Sequence, residues 1–494
     1  MKAEKNKTIK SFEEGAEVSG DLLTGGREKP PFRLGLLTCG YFEYWRMYPA
    51  LKEKVEKDLA AVTANVLTLN VDGLRVVQSG MVDTLDAADA AGKLFRRENV
   101  DAVLLVCGTY IPDFISLTAI DYVGDKPLVI FSVQAHEDMD LAGDYEGSLR
   151  NSGIIGSSQL TGTLRKMKRD YVTVVGSVND ARAYGKIGAY VRGAAAVKSV
   201  REANIGVIGH VFRGMYDIEI SKTFFKSTFG ANIIQIQSGH LIELWQGVTE
   251  QEAAVTASAL TSRFKLKNVS TDDVRRASKL AVAMEKLVKK FGLDAMCFLD
   301  QHFIQRQVLT SARIGASLIT EKLGVCCNCE GDLGGLMAMM LMKSASGNAP
   351  LMAEWGEYDA RTDSCFMIGH GIGTPDMAAS DADITLARTP EEWGFEGAGL
   401  NYEFIMKPGP VTLAHLLETP AGYRLLAGRG ESIEFPKMNF DEMHAAVRFA
   451  GPVKEVLERV LDCGVSHHCI VGHGDIVAEL EYAAKLLKID KLQI

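Results

Sequence analysis

DAVLLVC, residues 101–107, sets the reading of the first third of this chain. It is an apolar run of strand length, rich in valine and leucine, of the kind that forms strands buried on both faces. FRLGLLTC (32–39) and NVLTLNV (65–71) upstream, and PLVIFSV (127–133) and YVTVVGS (171–177) downstream, have the same character. Between them, YPALKEKVEKDLAAV (48–62) and TLDAADAAGKLFRREN (84–99) place apolar residues near every third or fourth position, the spacing of an amphipathic helix. Buried strands alternating with such helices predict a parallel sheet covered on both faces, assigned to an N-terminal α/β domain over 32–170.

The alternation restarts near Tyr171. ANIGVIGH (203–210), ANIIQIQ (231–237) and DAMCFLD (294–300) read as strands, and QEAAVTASALTSRFK (251–265) and DVRRASKLAVAMEKLVKKF (273–291) as helices. A second, central α/β domain is therefore expected over 171–349. No complete GxGxxG and no GxxxxGK[ST] occurs in either, which lowers the case for a dehydrogenase or a kinase. From Pro350 onward, glycine and proline punctuate shorter segments such as SCFMIGHGIGTPD (364–376), YRLLAGRGESIEF (423–435) and HHCIVGHG (467–474). Short strands at close spacing predict a β-rich, barrel-like C-terminal domain over 350–494, closed by the amphipathic helix DIVAELEYAAKLL (475–487). The fold class is thus α/β, with two tandem doubly wound domains followed by a β-rich third.

Bulk properties narrow the function classes. With 494 residues the chain is too long for one ordinary core. Sixty-three acidic residues against 54 basic ones leave a net charge of −9, which argues against a nucleic-acid partner or an anionic membrane. There is no apolar run of membrane-spanning length. Residues 1–31 are polar and lack a signal peptide's apolar core, so they read as a flexible arm or a segment that packs on a neighbouring subunit. Nine cysteines without an export signal imply reduced thiols in a cytoplasm. The cluster Cys326-Cys327-Asn328-Cys329 lacks CxxC spacing and reads as small core residues rather than a thiolate metal site.

A few acids and histidines stand out by their setting. Glu330 follows the strand-like GVCCNC and precedes an apolar helix, the place where α/β proteins put their sites. The plain alternative is an acid at a helix N-terminus, a role Asp332 fills better. Glu354, in APLMAEWGEYD, reads on its own as a surface acid at a strand end. His370 lies between glycines in FMIGHGIGTPD, and these permit close backbone approach. VSHHCIVGHGD holds three of the ten histidines, His467, His468 and His473. If a strand runs through it, only one of His467 and His468 faces a given site. Carboxylates with one or two imidazoles suit Mn²⁺, Co²⁺ or Mg²⁺ better than structural zinc.

NCEGDLGGLMAMMLM (328–342), PLMAEW (350–355), IGHGIGTPD (368–376) and SHHCIVGHGD (466–475) together resemble the L-fucose isomerase and L-arabinose isomerase family. NIGVIGHVFRGMYD (204–217), CGTYIPDF (107–114) and FSVQAHEDMD (131–140) extend the resemblance, in order, to nearly the whole chain from Phe32. It implies a metal-dependent aldose–ketose isomerase with Mn²⁺ (alternatively Co²⁺ or Mg²⁺) held by Glu330, Glu354, His370 and His468. Glu330 and Glu354 would be the acid/base pair that moves protons through an ene-diol. A glutamate at 354 and the presence of His370 lean to the arabinose branch, whereas the HHCIVGHGD ending is nearer the fucose branch, so the sugar stays open. The implied substrate-binding residues are Gln301, His302 and His467, with Tyr44, Arg46, Thr109, Tyr110 and Gln134 on strand-end loops of the first domain. In this family such loops reach a neighbouring subunit's site, which implies a homo-oligomer, a hexamer or trimer. Arg46 would favour a substrate bearing a negative group, such as a uronate or sulfonated sugar. An epimerase on the same frame and a non-catalytic sugar-binding protein are the readings from other classes.

Overall fold

A computed structural model describes residues 31–139, 141–301, 303–389 and 399–494. The expected N-terminal arm, apart from residue 31, and His302 lie outside the described residues. Phe32–Cys39 (β1), Leu74–Val82 (β2), Ala102–Cys107 (β3), Leu128–Gln134 (β4) and Val172–Ser177 (β5) form a parallel sheet in the order β2-β1-β3-β4-β5. DAVLLVC supplies β3, every residue of which is buried, and the sheet takes in β5 beyond residue 170.

NVLTLNV is not a strand. Its first residues finish the helix Pro49–Leu67, with Val62 and Val66 on the buried face, and the strand is the more polar LRVVQSGMV. That strand pairs only with β1 at the sheet edge, and much of it is exposed. An edge strand needs no continuous apolar run, so it lacked the signal the central strands carry.

The second parallel sheet comprises Asn204–Ile208 (β6), Asn232–Ile236 (β7), Ala295–Phe298 (β9) and Cys326–Asn328 (β10), in the order β10-β9-β6-β7. Lys265–Lys267 (β8) leaves it to pair with Thr385–Arg388 (β13), which also pairs with Leu400–Glu403 (β14). The helix Thr271–Phe291 starts at a Ser270/Asp273 capping box and stops at Gly292 in the left-handed region.

The C-terminal strands are Leu351–Asp359 (β11), Ser364–Gly369 (β12), Gly409–Thr419 (β15), Gly422–Ser432 (β16), His444–Phe449 (β17) and His468–His473 (β18), with Asp490–Gln493 (β19) beside β16. Antiparallel pairing runs β15-β18-β11-β12-β17-β16, and the β15–β16 hairpin returns it to its start, closing a six-stranded ring. Closure leaves none of these six strands with an open edge. Period-two alternation divides the ring's faces. Leu351, Ala353, Cys365, Met367, Leu413, Ala445, Val447, Cys469 and Val471 share one apolar cluster. Met352, Ala414 and Ile470 belong to another, built around the second sheet and the helix Leu333–Ser346. That helix packs on β11, β15 and β18, so this outer face of the ring meets the parallel sheet.

Candidate metal and active site

Glu330 closes the turn after β10. Its φ is +61° and that of Gly331 is +73°, two left-handed residues in succession. A Cβ on Gly331 would lie 2.6 Å from the His210 carbonyl oxygen and 2.8 Å from Val211 Cα, so only glycine fits. This close approach lets the Phe212 amide donate to the Glu330 carbonyl (2.9 Å) and the Gly331 amide to the Phe298 carbonyl (3.2 Å). The turn is thereby fastened to the C-terminal ends of β6 and β9, where open parallel sheets bind ligands.

The barrel brings the remaining groups. Glu354 on β11 stands directly opposite His468 on β18, and one residue away Ala353 stands opposite Cys469. Since Ala353 and Cys469 belong to the other apolar cluster, Glu354 and His468 share the face that looks at the Glu330 turn. Glu330 Oε2 lies 3.2 Å from His468 Nε2, and Glu330 Oε1 accepts from Gln301 Nε2 at 2.8 Å. Glu354 Oε1 lies 3.0 Å from His370 Nε2, and the His370 and His468 rings meet edge to face with centroids 5.1 Å apart.

Three overlapping groups have ligand atoms within 4.8 Å of one another: Glu354/His370/His468, Glu330/His467/His468 and Asp332/His415/His468. The last is wholly buried and hydrogen-bonded within itself, whereas Glu354 leaves 30 % of its side chain exposed. A cation arriving from solvent therefore reaches the His468 Nε2 side. Carboxylate oxygens and imidazoles make up this donor set, and no thiolate joins any such group among the described residues. The residues fit a divalent cation. The nine cysteines are unpaired, and Cys326, Cys327 and Cys329 are buried core residues.

The charges fit one another. Burial would raise the Glu330 carboxyl, but His468, His370 and Arg313 outweigh it and hold it at about 2. Burial would likewise raise Asp332, but His415 and His468 outweigh it and hold its carboxyl well below the usual range. Burial would lower His468, yet Asp332 and Glu330 push it up to about 10. Glu354 is lowered by His370 against its own burial.

Glu330, Glu354, His370, His468, His467 and Gln301 thus come together. The strand begins at His468, so alternation does not separate His467 from it; the two rings lie 4.0 Å apart. His467 Nδ1 meets Asp217 Oδ2 at 2.6 Å, and its buried Nε2 has no hydrogen-bond partner among the described residues. The first-sheet residues form a separate group. Tyr44 and Tyr110 share ring contacts with Tyr41, Thr109 is fully buried and bonded to the Tyr110 carbonyl, and Gln134 bonds the His136 carbonyl. Arg46 is exposed and paired with Glu43.

Sequence reasoning missed four participants. Asp332 caps the helix Leu333–Ser346 as expected, its Oδ1 accepting the Gly335 amide at 2.7 Å, but its Oδ2 also takes His468 Nδ1 and His415 Nε2, each at 3.0 Å. Arg313, fully buried, donates to the His370 carbonyl and to Cys329 Sγ. An arginine opening the apolar helix RIGASLITEKL was its only signal; His415 and Asp217 had none.

No family model matches the chain. A sulfoquinovose isomerase of Alkalicoccus urumqiensis is 23% identical over 369 residues, covering 74% of this chain and 80% of that protein. Another from Priestia aryabhattai is 20% identical over 396 residues (80% and 86%), and an L-arabinose isomerase of Shouchella clausii is 20% identical over 417 residues (81% and 84%). Glu330, Glu354, His370 and His468, which carry the family resemblance, come together at one site. These relatives are named sulfoquinovose isomerase and L-arabinose isomerase, and the likeness supports an L-fucose/L-arabinose isomerase-like family and aldose–ketose isomerase activity.

Proposed function

We propose that the chain interconverts a sulfonated aldose and its ketose at a Mn²⁺ site held by Glu330, Glu354, His370 and His468, with Co²⁺ or Mg²⁺ as substitutes. The observation that carries this is the convergence of two carboxylates from different elements on one imidazole: Glu330 from the turn after β10 and Glu354 from β11, both beside His468. The bound cation would supply Lewis acidity and a template for the carbonyl and the adjacent hydroxyl. A sugar seated between the carboxylates would have one on hand to take the C2 proton and return it to C1, while the other moves a proton from O2 to O1, so that the ene-diol becomes the ketose. Gln301 steadies Glu330, and Asp332 holds the proton of His468 Nδ1 so that Nε2 faces the cation.

Relatives named sulfoquinovose isomerase support a sulfonated substrate. Two exposed arginines suit such a charge: Arg46, and Arg213, next to the Phe212 amide that bonds Glu330. Relatives named L-arabinose isomerase favour a neutral aldose as the second reading. We place Tyr44, Arg46, Tyr110 and Gln134 at the site of a neighbouring subunit in a trimer or hexamer, whereas Thr109, fully buried, bonds the Tyr110 carbonyl from beneath. Exposed Phe114, Met139, Leu141, Tyr145, Ile154 and Ile155 near these loops support a covered surface there. The three units would divide just after β5 and near residue 349. No helix among the described residues is long and apolar enough to cross a membrane, and unpaired thiols suit a cytoplasmic setting.

The test is ketose formation from sulfonated and neutral aldoses, with and without Mn²⁺, by the parent protein, Glu330→Gln and Glu354→Gln. Metal-dependent ketose from the sulfonated sugar is expected, with each variant slowed about 10²- to 10⁴-fold. Conversion to an epimer without ketose would replace isomerisation, and turnover of neutral sugars alone would select the second reading.

A further inference from the structure

The site is acidic where the reacting end of a sugar must lie. Glu330 and Glu354 both stand beside His468, and Asp332 lies behind its ring. C1 and C2 occupy the cation and the two carboxylates during isomerisation. An anionic substituent on the sugar therefore has to sit farther along its chain. Like charges brought together cost binding energy, so that substituent needs a cation of its own, held clear of the carboxylates.

One segment at the mouth of the site supplies it. Phe212 gives its amide to the Glu330 carbonyl at 2.9 Å, and its own carbonyl accepts the Met215 amide at 3.2 Å. The second bond closes the tight turn Phe212–Met215, with Gly214 in its third position at φ +95°, the positive value a type II turn demands. A Cβ at 214 would meet open space, so conformation rather than crowding calls for glycine there. Asp217 fastens the far side: its Oδ2 accepts the His467 backbone amide at 3.1 Å and meets His467 Nδ1 at 2.6 Å. The segment is thus tied to Glu330 at one end and to the neighbour of His468 at the other.

Arg213 is the second residue of that turn, at its exposed tip. Its guanidinium has no ion pair and no hydrogen bond among the described residues. Arg46 differs on both counts. It pairs with Glu43 on its own helix at 2.8 Å and belongs to the separate first-sheet group.

We propose that the tip of this turn is the anion subsite and that Arg213, rather than Arg46, sets the preference for a sulfonated over a neutral aldose. The assignment rests on the sulfonated-aldose reading. The planar guanidinium offers parallel N–H groups to two sulfonate oxygens, and it gives up no internal partner to do so. Because the base of the turn is bonded to Glu330, anchoring the sulfonate also fixes how far the sugar's other end reaches toward that carboxylate.

The test compares kcat/KM for sulfoquinovose with that for quinovose, the same sugar without the sulfonate, in the parent, Arg213→Ala, Arg213→Lys and Arg46→Ala. Circular dichroism checks that each variant is folded. In Arg213→Ala the ratio should fall about 10- to 100-fold, through KM more than kcat, the loss expected for a charge-assisted hydrogen bond. Arg213→Lys keeps the charge without the fork and should recover part of the ratio. The alditols of the two sugars cannot turn over, so their competition reads the same preference as binding alone. Added salt should raise KM for sulfoquinovose in the parent more than in Arg213→Ala. A ratio unchanged in Arg213→Ala, or lost in Arg46→Ala instead, would overturn the assignment and leave the sulfonated-aldose reading standing. A parent protein that favours neither sulfoquinovose nor its alditol over the uncharged pair would overturn that reading and the assignment with it.

Discussion

Asp332→Asn isolates the support beneath the metal ligand. The carboxylate does three things: Oδ1 accepts the Gly335 amide at 2.7 Å, and Oδ2 accepts His468 Nδ1 and His415 Nε2 at 3.0 Å each. An asparagine that keeps its oxygen on Gly335 preserves the helix cap but turns an NH₂ group toward the two imidazoles. His468 can then no longer donate from Nδ1, and its proton moves to Nε2, the nitrogen facing Glu330 and the cation. Losing a charge-assisted hydrogen bond costs about 1.5–3 kcal/mol. Removing an outer partner of a metal ligand costs about 10- to 100-fold in affinity, which is the same energy reached independently. Mn²⁺ titration should therefore show Kd raised by about 10- to 100-fold, with ketose formation restored in part by excess Mn²⁺. Asp332→Ala should lose the same affinity and, by removing the cap, about 1 kcal/mol more of stability in urea unfolding. A folded Asp332→Asn with unchanged Mn²⁺ affinity would refute the argument that Asp332 sets the His468 tautomer.

Three further outcomes are expected. Gly331→Ala forces a Cβ against the His210 carbonyl at a left-handed backbone position, so it should cost about 1–3 kcal/mol and displace Glu330, read as a lower Tm together with weakened Mn²⁺ binding. Glu403 is buried, which would raise its carboxyl, but Lys267, Thr385 and Lys437 hold it at about 2. A folded-state value below the unfolded one stabilises above the unfolded value and fades as pH falls toward the folded one. Glu403 should thus contribute about 3 kcal/mol at neutral pH, and the stability gap between the parent and Glu403→Gln in urea unfolding should close between about pH 5 and 2. Finally, Mn²⁺ at about a hundred times Kd should stabilise the parent by roughly 2.7 kcal/mol in thermal unfolding, an increment absent after chelation and in His468→Gln.

Much of the architecture was legible because burial leaves a mark on composition. DAVLLVC had to be a central strand, since only a strand covered on both faces is apolar at every position. The glycine-punctuated segments after Pro350 read as short strands, although β15 and β16 run to 11 residues each, and Asp332 read as the better candidate to cap its helix, which it does. β2 was hidden because an edge strand is half exposed, and NVLTLNV misled because its apolar residues finish a helix. Glu330, His370 and the His467–His468 pair stood out by their local settings, whereas Glu354 read alone as a surface acid and joined them only through the family resemblance. Their convergence was not legible, because it depends on a strand register, Glu354 opposite His468, and on a left-handed turn pressed against residues 210–212, more than a hundred positions earlier. The role of His468 depended still more on tertiary structure. A histidine's chemistry is set by what its second nitrogen touches, and Asp332 beneath this ring comes from a segment that only folding brings near.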